Sequence, residues 1–124
     1  MKYLGVDFGL KRTGLAISEG EIASPLKIIE SKNFFDLVEQ VRKEIEANNI
    51  DLVVVGKPDG RMGKLAERFA KALRKKVTVV LADETLSSQY AQKLMVEGGV
   101  AKKRRRLSDA QAASLILQNY LDLL

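Results

Sequence analysis

The sequence predicts an α/β fold: a five-stranded mixed sheet with helices on both faces, in the order β-β-β-α-β-α-β-α-α. Three observations carry that expectation. The first thirty residues hold short apolar stretches separated by turn residues, which read as three meandering strands. After them, helical stripes alternate with apolar runs, the pattern of parallel strands joined by crossover helices. Finally, Asp51-Leu52-Val53-Val54-Val55-Gly56 is β-branched without polar alternation, as expected of a strand buried on both faces.

Each element has its own local signal. Tyr3 to Phe8 reads as the first strand, and the Gly9–Gly14 turn leads to a second at Leu15 to Ser18. A third strand is expected around Ile22 to Ile29, at an edge or with a bulge, because Pro25 has no N–H to give a ladder. A helix over about Phe34 to Asn48 follows from the stripe Phe34, Leu37, Val38, Val41 and Ile45, with Asn33 as its N-cap. Lys57 to Arg61 reads as a loop before a helix near Lys64 to Lys75, striped by Leu65, Phe69 and Leu73. Val77 to Ala82 is the fifth strand, and a helix from about Ser87 to Val96 comes next. The last helix opens on a capping box, Ser108 with Gln111, and its core stripe is Ala113, Ile116, Leu117, Tyr120, Leu121 and Leu124.

Composition removes several chemistries. The 124 residues include no cysteine and no histidine, so disulfides, thiolate or ordinary zinc sites and histidine bases are excluded. Catalysis, if present, needs carboxylates, hydroxyls, lysine, tyrosine or a hard metal ion. The net charge of +5 equals one run, Lys102, Lys103, Arg104, Arg105 and Arg106; without it, basic and acidic residues balance. An anionic partner at one place on the surface is the expectation. No stretch suits a membrane span and the N-terminus does not read as a signal peptide, so a cytoplasmic protein is expected.

Three acids break the patterns around them. Asp7 ends an apolar strand, on the face of Tyr3 and Gly5. Asp83 and Glu84 end the fifth strand, and alternation allows at most one of them on the Asp7 face. Asp109 lies four residues before Ala113 and so continues the stripe of the last helix. Singly, each has a plainer role: a turn acid, a polar strand end, a charge at the positive end of a helix dipole. Together they end elements that meet at one end of the sheet. Gathered carboxylates raise one another's pKa unless a cation neutralises them. Without His or Cys, such a cluster suits Mg²⁺ or Mn²⁺, which activate water and stabilise the leaving oxygen in phosphodiester hydrolysis.

Four motifs, VDFGLKRTGLAIS, VVVGKP, ADETLSS and SDAQAASLILQNYL, resemble in order and spacing those of the YqgF family. That family is also described as Holliday-junction-resolvase-like. The resemblance covers nearly the whole chain and implies a single ribonuclease-H-like nuclease domain over residues 1–124. It implies a metal-dependent nuclease of structured nucleic acid, acting in 5′-end processing of pre-16S rRNA during ribosome biogenesis, with the ribosome precursor as partner. It assigns Asp7, Glu84 and Asp109 as catalytic, metal-binding acids, with Asp83 as the alternate. Gly9, Lys11, Arg12 and Gly14 match the family's first turn, and Gly56 and Pro58 its middle loop. Two departures stand out: Thr85 follows the acid pair where the family commonly has arginine, and the loop from Gly56 to Gly63 is shorter than usual.

The basic run precedes the helix that begins near Asp109, so its five charges are placed to track a phosphate backbone beside the acids. Lys11 and Arg12 fall at the same end of the sheet, and Lys57, Arg61 and Lys64 extend the patch. With 6% aromatic residues, none interleaved with the basic ones, stacking on unpaired bases is not expected. RNA is favoured, and branched DNA is the other substrate class. Two alternatives stand beside the rRNA reading: a Holliday-junction resolvase-like DNA endonuclease, which would need a dimer, and a non-catalytic RNA-binding ribosome-assembly factor, toward which Thr85 leans. A phosphotransferase ranks far below, since one lobe of this size makes no two-lobed nucleotide cleft.

Overall fold

The computed structural model describes residues 1–83 and 109–124. Five strands form one sheet in the order β3-β2-β1-β4-β5, and β1 (Tyr3–Asp7) takes the centre because it is apolar on both faces. It pairs antiparallel with β2 (Arg12–Ser18) and parallel with β4 (Leu52–Lys57). β4 in turn pairs parallel with β5 (Thr78–Asp83). The mixed sheet expected from the sequence is therefore present, and the valine run of β4 is buried as its composition required.

β3 (Ala23–Glu30) is the edge strand, and its register with β2 shifts between Leu15 and Ala16, opposite Pro25. The edge position and the irregularity, which Pro25 offered as alternatives, occur together. The first hairpin differs from expectation: β2 begins at Arg12, not Leu15, so the connection is shorter. Thr13 closes it, its hydroxyl donating to the Gly9 carbonyl at 2.9 Å and accepting from the Gly9 N–H at 3.4 Å. Gly14, read as a turn residue, stands inside the strand.

Two helices cover one face. α1 (Phe34–Ala47) is capped by Asn33, whose side chain accepts from the Asp36 N–H at 2.8 Å. α2 (Arg61–Leu73) starts three residues earlier than its stripe suggested, because Gly60 at φ 73° turns the chain directly into the helix. Their apolar sides enclose Leu4, Val6, Val53, Val55, Phe69 and Leu73 in the larger core. The opposite face carries α3 (Asp109–Asp122), which buries Ala113, Ile116, Leu117 and Leu121 against Tyr3, Ala16, Leu52 and Val54. Leu124, expected in that stripe, is 73% exposed because the helix has ended before it. The helix expected over Ser87 to Val96 and the cap residue Ser108 lie outside the described residues.

Candidate active site

The site is built where α3 crosses β1 and β2. A Cβ on Gly5 would lie 2.8 Å from both the Ala113 carbonyl and the Leu117 Cβ, and one on Gly14 only 1.9 Å from the Asp109 carbonyl oxygen. Glycine at these two positions lets helix backbone rest on sheet backbone. A third tie holds the far end: Gln118 accepts from the Ala23 N–H and donates to the Glu21 carbonyl, both at 2.9 Å. Tyr3 and Tyr120 add a tilted ring contact at 6.4 Å. Held along its length, α3 has little room to slide, and its first residue stays over Gly14.

Register then relates Asp109 to Asp7. Gly14 is the cross-strand partner of Asp7, and on the other side Asp7 faces Gly56 of β4, which faces Ala82 of β5. Four strands thus contribute Gly14, Asp7, Gly56 and Ala82 to one row. The half-buried carboxylate of Asp7 is the sole functional group in that row, and the start of α3 stands above its Gly14 end. Two of the three expected acids are brought to one end and one face of the sheet. Of the acid pair, Asp83 is the last residue of β5, opposite Lys57. Glu84 lies outside the described residues, as do Thr85 and the basic run Lys102 to Arg106. Among the described residues, no three acids gather into a group able to hold a metal ion.

Asp109 has a basic partner within the site: its Oδ2 lies 3.0 Å from Nη2 of Arg12, with the side chains 32% and 39% exposed. An ion pair this accessible to water is worth roughly 0–1 kcal/mol. It therefore holds Asp109 weakly. The two side-chain donors that the described residues bring together, the carboxylates of Asp7 and Asp109, are hard oxygen donors of the kind a divalent cation such as Mg²⁺ or Mn²⁺ takes.

The other basic candidates among the described residues lie at the same end of the molecule. Lys11 is exposed in the hairpin beside Arg12. Lys57, Arg61 and Lys64 line an open groove of about 500 Å³ at the start of α2, with Asp59 and Glu67 among its walls. Lys57 is engaged there, its Nζ 2.6 Å from Oε1 of Glu67. The hydrogen bond and the positive charge of Lys57 hold the Glu67 carboxyl below the ordinary glutamate value. The sequence reading passed over Gly5 as a site determinant and placed Gly14 in the turn rather than under the helix. Their signal was present, for glycine inside a strand marks a close approach of backbone.

Comparison with known proteins places this architecture. A family model described as RuvX, Holliday junction resolvase, matches residues 1–123. A protein of Geobacillus thermodenitrificans named "Putative pre-16S rRNA nuclease" is 38% identical, over 98% of each chain. One of the same name from Bacillus cytotoxicus is 35% identical over the same shares. Among solved structures, Thermus thermophilus RuvC in complex with a Holliday junction substrate aligns with TM-score 0.66 and 18% identity, over 99% of this chain and 96% of that one. The fowlpox virus Holliday junction resolvase aligns with TM-score 0.60 and 20% identity over all of both chains. The fold is thus the ribonuclease-H-like fold of RuvC-type resolvases.

Proposed function

The chain belongs to the RuvX Holliday junction resolvase family, and on that premise we propose that it is a nuclease, a hydrolase of phosphodiester bonds, that trims the 5′ end of pre-16S rRNA during ribosome maturation. The name carried by relatives that match almost end to end supports RNA processing over junction resolution. The observation that carries the chemistry is the convergence of Asp7 and Asp109, far apart in sequence, on one end of one sheet face.

In this reading residues 1–124 form one cytoplasmic nuclease domain, and Asp7, Asp109 and Glu84 hold Mg²⁺ or Mn²⁺. Glu84 is preferred to Asp83 on its match to the family's motif in Ala82-Asp83-Glu84-Thr85. With a divalent cation held by these acids, the chemistry supplied would be activation of a water and neutralisation of charge on the scissile phosphate. Asp7 does its part from the centre of the sheet, where backbone pairing on both sides fixes its direction. Asp109 does so from the start of a helix clamped at three places. Lys11, Arg12, Lys57, Arg61, Lys64 and the run Lys102 to Arg106 take the phosphate backbone on either side of the cut. Lys57 and Arg12 must exchange carboxylate partners for phosphates to do so, which weak exposed pairs allow.

The test is cleavage of a pre-16S rRNA fragment by purified protein with Mn²⁺, beside Asp7→Asn. Cleavage should fall by at least about a hundredfold in the variant, the scale on which a group stabilising the transition state acts. RNA affinity should be kept or improved as a negative charge is removed. Equal cleavage by both proteins rejects the assignment, and intact RNA with both favours an assembly factor that only binds.

A further inference from the structure

Among the described residues, Arg12 is the basic side chain that pairs with Asp109. Its place is fixed twice over. Register sets it opposite Glu30 at the start of β2, two residues before Gly14, so that it projects on the same side of the strand as Gly14. The start of α3 rests on Gly14 with no room for a Cβ, which brings the Asp109 carboxylate within 3.0 Å of the guanidinium. The strand that seats the acid through Gly14 therefore also carries its partner. The pair is partly open to water, and an oxygen of Asp109 that accepts from Arg12 has less negative charge to offer another cation.

We propose that Arg12 is an exchangeable counter-ion for Asp109: a divalent cation displaces it from the carboxylate, and the displaced guanidinium binds a phosphate of the substrate. One side chain would thereby link occupancy of the metal site to the grip on nucleic acid. The linkage is reciprocal, so substrate that captures Arg12 also strengthens metal binding. Guanidinium is suited to this exchange because its planar fork matches carboxylate and phosphate equally. The inference rests on the metal-site reading above and adds the residue that tunes it.

Calorimetric titration of Mn²⁺ into the wild-type chain, Asp7→Asn, Arg12→Met and Lys11→Met separates the two. Lys11→Met removes the same unit of charge next door and leaves the Arg12–Asp109 pair in place. Mn²⁺ should bind Arg12→Met about threefold more tightly than Lys11→Met, the worth of an exposed ion pair. Circular dichroism on each variant confirms that it is folded, and Arg12→Lys, which can remake the pair, should return affinity toward wild type. Equal affinities for the two methionine variants overturn the proposal. Weaker binding by Arg12→Met also overturns it, showing instead that the guanidinium orients Asp109 for the metal. If Mn²⁺ binds wild type and Asp7→Asn alike, the metal-site reading itself fails and the inference with it. In a second arm, Ca²⁺ is added to an RNA hairpin binding assay, the RNA being verified intact by gel. Ca²⁺ should tighten RNA binding by wild type and do so less for Arg12→Met; an equal gain in both also overturns the exchange.

Discussion

At the scale of single residues, the site end of the molecule is governed by which charge each acid faces. Glu67 shows this plainly, because its carboxyl is held below the ordinary glutamate value first by the hydrogen bond from Lys57 and then by that lysine's charge. The folded-state value is depressed, so the pair's small stabilising effect is present above the unfolded pKa and is lost as pH falls through the folded one. Lys57→Met should move the Glu67 titration upward toward the ordinary value, read by NMR of the carboxyl carbon. An unmoved titration would mean that Lys64, which also lowers it, is the dominant partner. The same variant leaves the groove at the start of α2 with one positive charge fewer.

At the scale of elements, the position of α3 depends on what the strands below it lack. Gly14 carries the tightest approach between helix and sheet, and the atom its Cβ would strike is backbone, which cannot swing aside. Gly14→Ala should therefore cost about 1–3 kcal/mol in urea unfolding, the usual scale of overpacking, by lifting the start of α3. Mn²⁺ affinity should fall with it, since Asp109 moves away from the Asp7 row. Gly20→Ala is the matching control, as a Cβ there meets nothing within 4 Å. Equal stability of the two variants would refute the clamp. The contrast also explains why Gly14 reads as a turn residue in the sequence: a glycine after a turn and a glycine under a helix look alike until the helix is placed.

At the scale of the whole molecule, the basic residues proposed to hold nucleic acid share one end of the sheet with Asp7 and Asp109. The C-terminal ends of β1, β4 and β5, the start of β2 and the starts of α2 and α3 all meet there. Lys11, Arg12, Lys57, Arg61 and Lys64 belong to these segments, and the run at 102–106 closely precedes α3 in sequence. Neutralising Lys103, Arg104 and Arg105 together should lower RNA affinity and reduce the slope of log K against log salt by about 2–3, near 0.7–0.9 for each phosphate no longer neutralised. An unchanged slope would remove the run from the interface. No helix among the described residues is long and apolar enough to cross a membrane.

Much of this protein was legible in the chain itself. Apolar periodicity is a local property, so the stripes of α1 and α2, the buried valines of β4, the Asn33 cap and the edge position forced by Pro25 could all be read from neighbouring residues. The out-of-place acids Asp7 and Asp109 were legible for a related reason, since a carboxylate that continues an apolar face requires a partner. What only the tertiary structure decided were relations between segments a hundred residues apart. The Gly14 contact that seats Asp109 beside the Asp7 row and the Arg12 pair that neutralises it both depend on where α3 lands. That landing is set by van der Waals fit across the sheet, a quantity that no stretch of sequence contains alone.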